Sequence, residues 1–177
     1  MLQRTLGRQL ERIMSHGKMA FLSGPRQVGK TTLAREFQKS FSQSLYLNWD
    51  IINDQKRLLK NPYFFEEADR EPAKPLLVVL DEIHKYARWK NYLKGAYDGY
   101  HRDFRFLVTG SGRLDLFKKG GDSLLGRYLT APLFPLSVGE LSGRLPTWAR
   151  FQECLQDPPA LKPGAAQAYL ALLRFSG

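Results

Sequence analysis

The octet Gly24-Pro25-Arg26-Gln27-Val28-Gly29-Lys30-Thr31 constrains this chain more than any other stretch. It follows the short run Lys18-Met19-Ala20-Phe21-Leu22-Ser23 and leads into Thr32-Leu33-Ala34-Arg35-Glu36-Phe37. Strand, glycine-bounded turn and helix form the context in which the pattern G-x-x-x-x-G-K-[ST] cradles phosphate. Gly24 and Gly29 give the backbone conformations closed to residues with a Cβ, so that N–H groups of the loop turn inward toward phosphate oxygens. The candidate nucleotide-binding segment is therefore Gly24, Pro25, Arg26, Gln27, Val28, Gly29, Lys30, Thr31 and Thr32. Lys30 is expected to bridge the β- and γ-phosphates, and the Thr31 hydroxyl to ligate Mg²⁺. The helix starting near Lys30 adds its positive end to the same anion.

A second stretch, Leu76-Leu77-Val78-Val79-Leu80-Asp81-Glu82, supplies what the loop lacks. An unbroken aliphatic run suits a central parallel strand buried on both faces. It ends in two acids, which are costly to bury without a cation or hydrogen bonds. Asp81 is thus expected to hold Mg²⁺, mostly through water, and Glu82 to orient and activate an attacking water. His84 follows closely, but no further His or Cys nearby completes a zinc set, so it reads as a loop or helix-cap residue.

Around these two stretches, helices and strands alternate. Leu2, Leu6, Leu10, Ile13 and Met14 give residues 1–15 the pattern of an amphipathic helix packed on the domain. Residues 30–41 read as the first crossover helix, with Leu33, Phe37 and Phe41 on one stripe. Residues 44–48 alternate like a strand, and Asn48 and Asp50 stand at its carboxyl end, where open α/β sheets bind ligands. Residues 53–69 look helical but are broken by Pro62.

A helix is predicted at 86–101, its apolar stripe formed by Trp89, Leu93, Ala96 and Tyr100. Its basic Lys85, Arg88, Lys90 and Lys94 interleave with Tyr86, Tyr92 and Tyr97. A solvated face with aromatics turned to the core is the favoured reading, and nucleic-acid stacking the competing one. The strand at 104–109 ends in Thr109-Gly110-Ser111. Thr109, and after it Ser111, is placed to sense the γ-phosphate or its water; Ser111 could instead cap a helix. Residues 113–126 read as a glycine-rich mobile loop, 128–133 as the last strand and 137–141 as a short helix. The expected division is a core at 1–145, then a linker and helical beginning at 146–177. The βα alternation gives an α/β fold with a five-stranded parallel sheet.

Composition narrows the setting. The formal net charge of +10 is compatible with nucleic acid, an acidic surface or a nucleotide, without choosing among them. Cys154, the sole cysteine, excludes an internal disulfide and a cysteine-rich metal site. No aliphatic run is long enough to cross a bilayer, and the N-terminus lacks a signal peptide's apolar core, so the expected location is cytoplasmic.

Taken in order, the phosphate loop with Thr32-Leu33, then Leu80-Asp81-Glu82-Ile83-His84-Lys85, Thr109-Gly110-Ser111, Leu125-Gly126-Arg127 and Pro135-Leu136-Ser137-x-x-Glu140-Leu141 resemble the prokaryotic AAA-type ATPases of the AAA_14 family. The resemblance spans roughly residues 4–142 and implies a three-layer α-β-α P-loop core of the AAA+ type, sheet order 5-1-4-3-2. It implies that Asp81 and Glu82 are the Walker B pair and Thr109 or Ser111 the sensor. Asn48 resembles a polar residue that in some AAA+ proteins restrains the catalytic Glu. Arg127 falls where the family carries a Gly-Arg, which implies either an arginine finger acting on a neighbouring subunit, and so self-association, or a salt bridge to the sheet edge. Family members usually continue into a C-terminal region, and Phe175-Ser176-Gly177 resembles the start of that junction.

The function expected is an ATP-binding, Mg²⁺-dependent ATPase core that drives conformational change in an attached domain or a DNA or protein partner. The alternative is a nucleotide-gated nucleic-acid-binding module with little hydrolysis. A small-molecule phosphotransferase fits less well, because residues 113–127 carry only Arg113 and Arg127 where an arginine-rich lid is needed. A GTPase fits least, as no Asn-Lys-x-Asp tetrad is present.

Overall fold

The computed structural model describes residues 6–72, 74–110, 124–137 and 140. Their elements are α1 (Leu6–Ser15), β1 (Met19–Ser23), α2 (Lys30–Gln38), β2 (Ser44–Asn48), α3 (Ile52–Lys60), β3 (Leu76–Asp81), α4 (Trp89–Tyr100), β4 (Phe104–Gly110) and β5 (Tyr128–Pro132). Two 3-10 turns, Phe64–Glu67 and Ile83–Lys85, lie before and after β3. The strands form one sheet in the order β2-β3-β4-β1-β5, every pairing parallel. This is the expected order 5-1-4-3-2 read from the other edge.

Strand alternation builds the two outer layers, because successive side chains leave opposite faces. Met19, Phe21, Val78, Leu80, Phe106 and Val108 join one core with Leu58, Phe64, Phe65, Trp89 and Leu93. Ala20, Leu22, Leu77, Val79 and Leu107 join the other with Leu10, Ile13, Met14, Leu33, Ala34 and Phe37. Helices α1 and α2 thus cover one face of the sheet, and α3 and α4 the other. The unbroken burial of β3, all six residues, is what the aliphatic run predicts for a strand covered on both sides.

Several boundaries differ from the sequence expectation. Helix α2 stops at Gln38 rather than 41, yet Phe41 still packs its ring against Phe37, centroids 5.5 Å apart. The 53–69 segment resolves into α3 and a 3-10 turn with Pro62 between them, since proline cannot supply the next helical N–H. That turn carries Phe65 into contact with Phe104 and Phe106, centroids 4.9 and 5.5 Å away. Helix α4 begins at Trp89 rather than 86, because residues 86–88 form a further turn after Ile83–Lys85. Tyr92 is buried and Tyr86 and Tyr97 pack on the core, so the aromatics of this region face inward. Ser111, residues 113–123 and the 146–177 tail with Cys154 lie outside the described residues. So does most of the expected 137–141 helix. Within it, Ser137 and Glu140 form a reciprocal helix-start cap: the Glu140 carboxylate accepts from Ser137 N at 2.9 Å, and Glu140 N donates to Ser137 Oγ at 3.2 Å.

Leu6–Pro135 form one compact unit. Among the described residues no helix is long and apolar enough to cross a membrane.

A candidate nucleotide pocket at the ends of β1 and β3

Because β1 and β3 run parallel, the loop after one and the acids after the other emerge at the same end of the sheet. Between them lies a pocket of about 530 Å³. The loop residues Arg26, Gln27, Gly29, Lys30, Thr31 and Thr32 line one side, and Glu82, His84 and Lys85 the other. Two segments far apart in sequence therefore meet where the motif reading puts a nucleotide.

The loop's shape follows from its residues. Gln27 and Gly29 take left-handed conformations, φ 61° and 94°, and turns of this hand gather N–H groups into an anion-binding concavity. No side chain caps the N-terminus of α2. That leaves the helix's first N–H groups to whatever enters the pocket. Val28 is buried in the core with Leu33 and Leu133, and so anchors the loop with its side chain. Lys30 is only 7% exposed. Its ammonium donates to the carbonyls of Gly24 and Pro25 at 3.1 and 2.6 Å, folding back over the loop it would share with phosphate.

Gly24 is required for a different reason. A Cβ placed there would lie 2.3 Å from the Leu133 carbonyl oxygen, and its φ of 154° is poorly tolerated by other residues. Leu133 N donates to Ser23 O at 2.7 Å, so the backbone after β5 is tied against the loop entrance. Gly24→Ala must push these two backbones apart. A loss of roughly 3 kcal/mol in unfolding free energy is expected, from strain and overpacking together. Urea unfolding of wild type and variant measures it; equal midpoints would mean that the loop relaxes freely.

Asp81 is fully buried. Its carboxylate accepts from three hydroxyls: Thr31 at Oδ2 (2.8 Å), Tyr46 at the same oxygen, and Thr109 at Oδ1. Burial and the adjacent Asp81 carboxylate push the Tyr46 phenol well above its ordinary value. A buried carboxylate met by neutral donors, beside a hydroxyl whose lone pairs remain open, is a donor set suited to a hard cation such as Mg²⁺. Among the described residues no cluster of three or more His, Cys, Asp or Glu offers an alternative.

Glu82 takes a left-handed conformation, φ 55°, and its N–H donates to Thr109 Oγ1 at 3.1 Å. Thr109 thus touches both members of the acid pair. The Glu82 carboxylate lies 3.3 Å from Lys85 Nζ and 3.7 Å from His84 Nε2. Lys85 in turn binds both oxygens of Asp50 at 2.5 and 2.6 Å. Burial would lower the Lys85 ammonium's pKa, but the hydrogen bonds to Asp50 and Glu82 outweigh it and hold the pKa above its usual value.

The structure brings some of the residues singled out in the sequence together and leaves others apart. Lys30, Thr31, Asp81, Glu82 and Thr109 come together. Asn48 does not meet Glu82: its Oδ1 accepts from Asp50 N at 2.9 Å, and Lys85 and His84 take the place beside the glutamate. Arg127 precedes β5 at the opposite end of the sheet, where its carbonyl accepts from Met19 N, the first residue of β1. With a strand rise of about 3.3 Å per residue, β1 separates it from the loop by on the order of 13 Å. Arg127 therefore does not enter its own chain's pocket. Its guanidinium binds Asp98 of α4 at 2.7 and 3.0 Å, which draws that carboxyl below its usual range. Tyr46 and Lys85 are the site neighbours that sequence reading misses. The pairing of β2 with β3, implicit in the expected strand order, was the available signal for Tyr46.

Comparison with known proteins gives three kinds of likeness. The AAA_14 model, described as an AAA domain, matches residues 16–142. Uncharacterized proteins of Mycobacterium bovis (Mb2031c) and Mycobacterium tuberculosis (Rv2008c) are each 28% identical over 141 residues, covering 78% of this chain. The chain spans 30% of the length of those relatives. Among solved structures, the Aeropyrum pernix ORC1 protein in complex with DNA superposes with a TM-score of 0.52 at 14% identity, covering 84% of this chain and 48% of that one. Caenorhabditis elegans PCH-2 superposes with a TM-score of 0.50 at 17% identity, covering 90% of this chain and 47% of that one. At these identities the structural likeness concerns the fold alone.

Proposed function

This chain belongs to the AAA_14 family of AAA domains, and from that premise we propose that it is a Mg²⁺-dependent ATPase core. The observation that carries the reading is the convergence of Lys30, Thr31 and Glu82 on one pocket, with the buried Asp81 hydrogen-bonded to Thr31. Lys30 and the loop N–H groups bind the β- and γ-phosphates, Lys30 exchanging its loop carbonyls for phosphate oxygens. Thr31 donates its hydroxyl hydrogen bond to Asp81 and so turns its lone pairs away from the carboxylate. Thr31 and Asp81 would hold Mg²⁺, which supplies charge neutralisation between the phosphates. Glu82 orients a water and accepts its proton as the water oxygen bonds to the γ-phosphorus and the bond to the β–γ bridging oxygen breaks. Thr109 fixes the backbone of Glu82 and so the direction of that carboxylate.

The partner of the cycle belongs to the same proposal: an attached domain, a protein or DNA that responds to the nucleotide state. The tyrosines around α4 pack on the core, so base stacking by this helix is not part of it. Arg127 belongs to it only as a group donated to a second copy, which requires release of Asp98.

Isothermal titration with ATP, followed by phosphate-release assays in Mg²⁺ and in EDTA, tests the reading. Binding together with Mg²⁺-dependent release is the expected result. Absence of ATP binding would sink the proposal, and binding without release would remove its hydrolytic half and leave a nucleotide switch.

A further inference from the structure

We propose that Tyr46 is a positioning residue for the Mg²⁺ site, its phenol fixing the Asp81 carboxylate from β2 as Thr109 fixes it from β4. The inference rests on the reading of Asp81 as the metal-holding carboxylate.

The sheet order makes the arrangement two-sided. Strand β3 lies between β2 and β4, and Asn48 is its direct partner at Asp81. Tyr46 stands two residues earlier, opposite Val79, with its side chain on the same face as Asn48. Only a long side chain at that position spans the offset, and the phenol does so, donating to Oδ2. Thr109 donates to the other oxygen. Asp81 is therefore held at both oxygens by donors belonging to the sheet, whereas Thr31 reaches it from the phosphate-loop side of the pocket.

The ring of Tyr46 is itself fixed. It is partly buried against the α1–α2 core, and the Arg35 guanidinium lies 4.1 Å from its centroid. A phenol needed only for packing has no reason to direct its hydroxyl at a buried carboxylate. A phenol held on both faces and bonded to Oδ2 removes the torsional freedom of that carboxylate before the metal comes. Preorganisation of this kind raises affinity by cutting the ordering cost of binding.

The test is a Mg²⁺ titration of binding, read with a fluorescent ATP analogue, on the whole chain. Tyr46→Phe keeps the ring and deletes only the donor. It should raise the Mg²⁺ concentration for half-maximal enhancement of binding about 10- to 100-fold, the scale of losing an outer partner of a metal-holding side chain. Binding of the analogue in EDTA should stay within about twofold of wild type, since Tyr46 does not line the pocket. Arg35→Gln, which removes one hold on the ring but keeps the hydroxyl, should move the Mg²⁺ midpoint by clearly less than Tyr46→Phe does. A wild-type midpoint in Tyr46→Phe would overturn the inference, as would an equal shift in Arg35→Gln, which would trace the effect to ring packing. Asp81→Asn separates the two levels. If it loses the Mg²⁺ enhancement while Tyr46→Phe keeps the wild-type midpoint, only the role of Tyr46 falls. If Asp81→Asn keeps the enhancement, the assignment of the metal to Asp81 falls, and that of Tyr46 with it.

Discussion

Lys30→Ala is expected to weaken ATP binding by about 100-fold or more while leaving a folded domain. The size follows from where the ammonium sits. Lys30 is nearly buried, at the first position of α2, with its charge shared between two backbone carbonyls. A charged contact made in such surroundings is worth on the order of 3 kcal/mol or more when one partner is removed, and 1.4 kcal/mol is a factor of ten. The alanine leaves the carbonyls of Gly24 and Pro25 without that donor, a local cost of roughly 1–3 kcal/mol. The nucleotide-free variant is therefore the reference, not wild type.

Ligand-induced stabilisation gives a clear readout. At a nucleotide concentration about 100 times the wild-type Kd, ATP stabilises the native state by about 2.7 kcal/mol. After a 100-fold loss of affinity the same concentration contributes only about 0.4 kcal/mol. The thermal shift on adding ATP should thus nearly vanish in Lys30→Ala. A shift equal to that of wild type would mean that the pocket between β1 and β3 holds phosphate without its lysine, and the loop would lose its assigned role.

What could be read beforehand, and what could not, follows the range of the interactions. The sheet was legible because each strand carries its own mark. The run from Leu76 to Leu80 is apolar on both faces, and its burial on both faces is a property of that segment alone. The phosphate loop was legible because its constraint is also local: Gly29 must turn left-handed between a strand and a helix. The strand order came through the resemblance rather than from periodicity.

Partnerships across the sheet were not legible in the same way. Tyr46 in Ser-Leu-Tyr-Leu-Asn reads as one more alternating strand residue, and its bond to Asp81 exists only because β2 pairs with β3 in a fixed register. Lys85 reads as part of a basic helix face, yet it joins Asp50 to Glu82 across the ends of two strands. For Arg127 the sequence offers a finger toward a neighbouring subunit or a salt bridge; the ion pair it makes runs from the residue before β5 to Asp98 of α4, a partner that no spacing rule names. Asn48 shows the converse failure. A polar residue at the right strand end suggests a partner for Glu82, but its side-chain oxygen accepts instead from the backbone N–H of Asp50. Short-range side-chain-to-backbone bonds of this type compete well, since little chain entropy is lost in forming them.

Glu82→Gln is expected to keep ATP binding and lose turnover. Glutamine preserves the size of the side chain, and the left-handed backbone at this position, φ 55°, costs both residues about the same. The Glu82 N–H to Thr109 bond does not involve the side chain and should survive. Lys85 loses one of its two anionic neighbours but keeps Asp50, which it binds through both oxygens, so the loop after β3 has no reason to move. What the amide cannot do is accept a proton from water. General-base assistance is worth about 100- to 10,000-fold in rate. The kcat for phosphate release should therefore fall at least about 100-fold, with the Kd for ATP within about threefold of wild type. Steady-state phosphate release at saturating ATP and Mg²⁺ gives kcat, and an equilibrium titration with ATP gives the Kd. Retained turnover would move the proton acceptor elsewhere in the pocket, with His84, 3.7 Å from the Glu82 carboxylate, as the next group to substitute. A parallel loss of binding would instead mean that Glu82 helps shape the nucleotide site, and that Lys85, once released from it, takes up a different position.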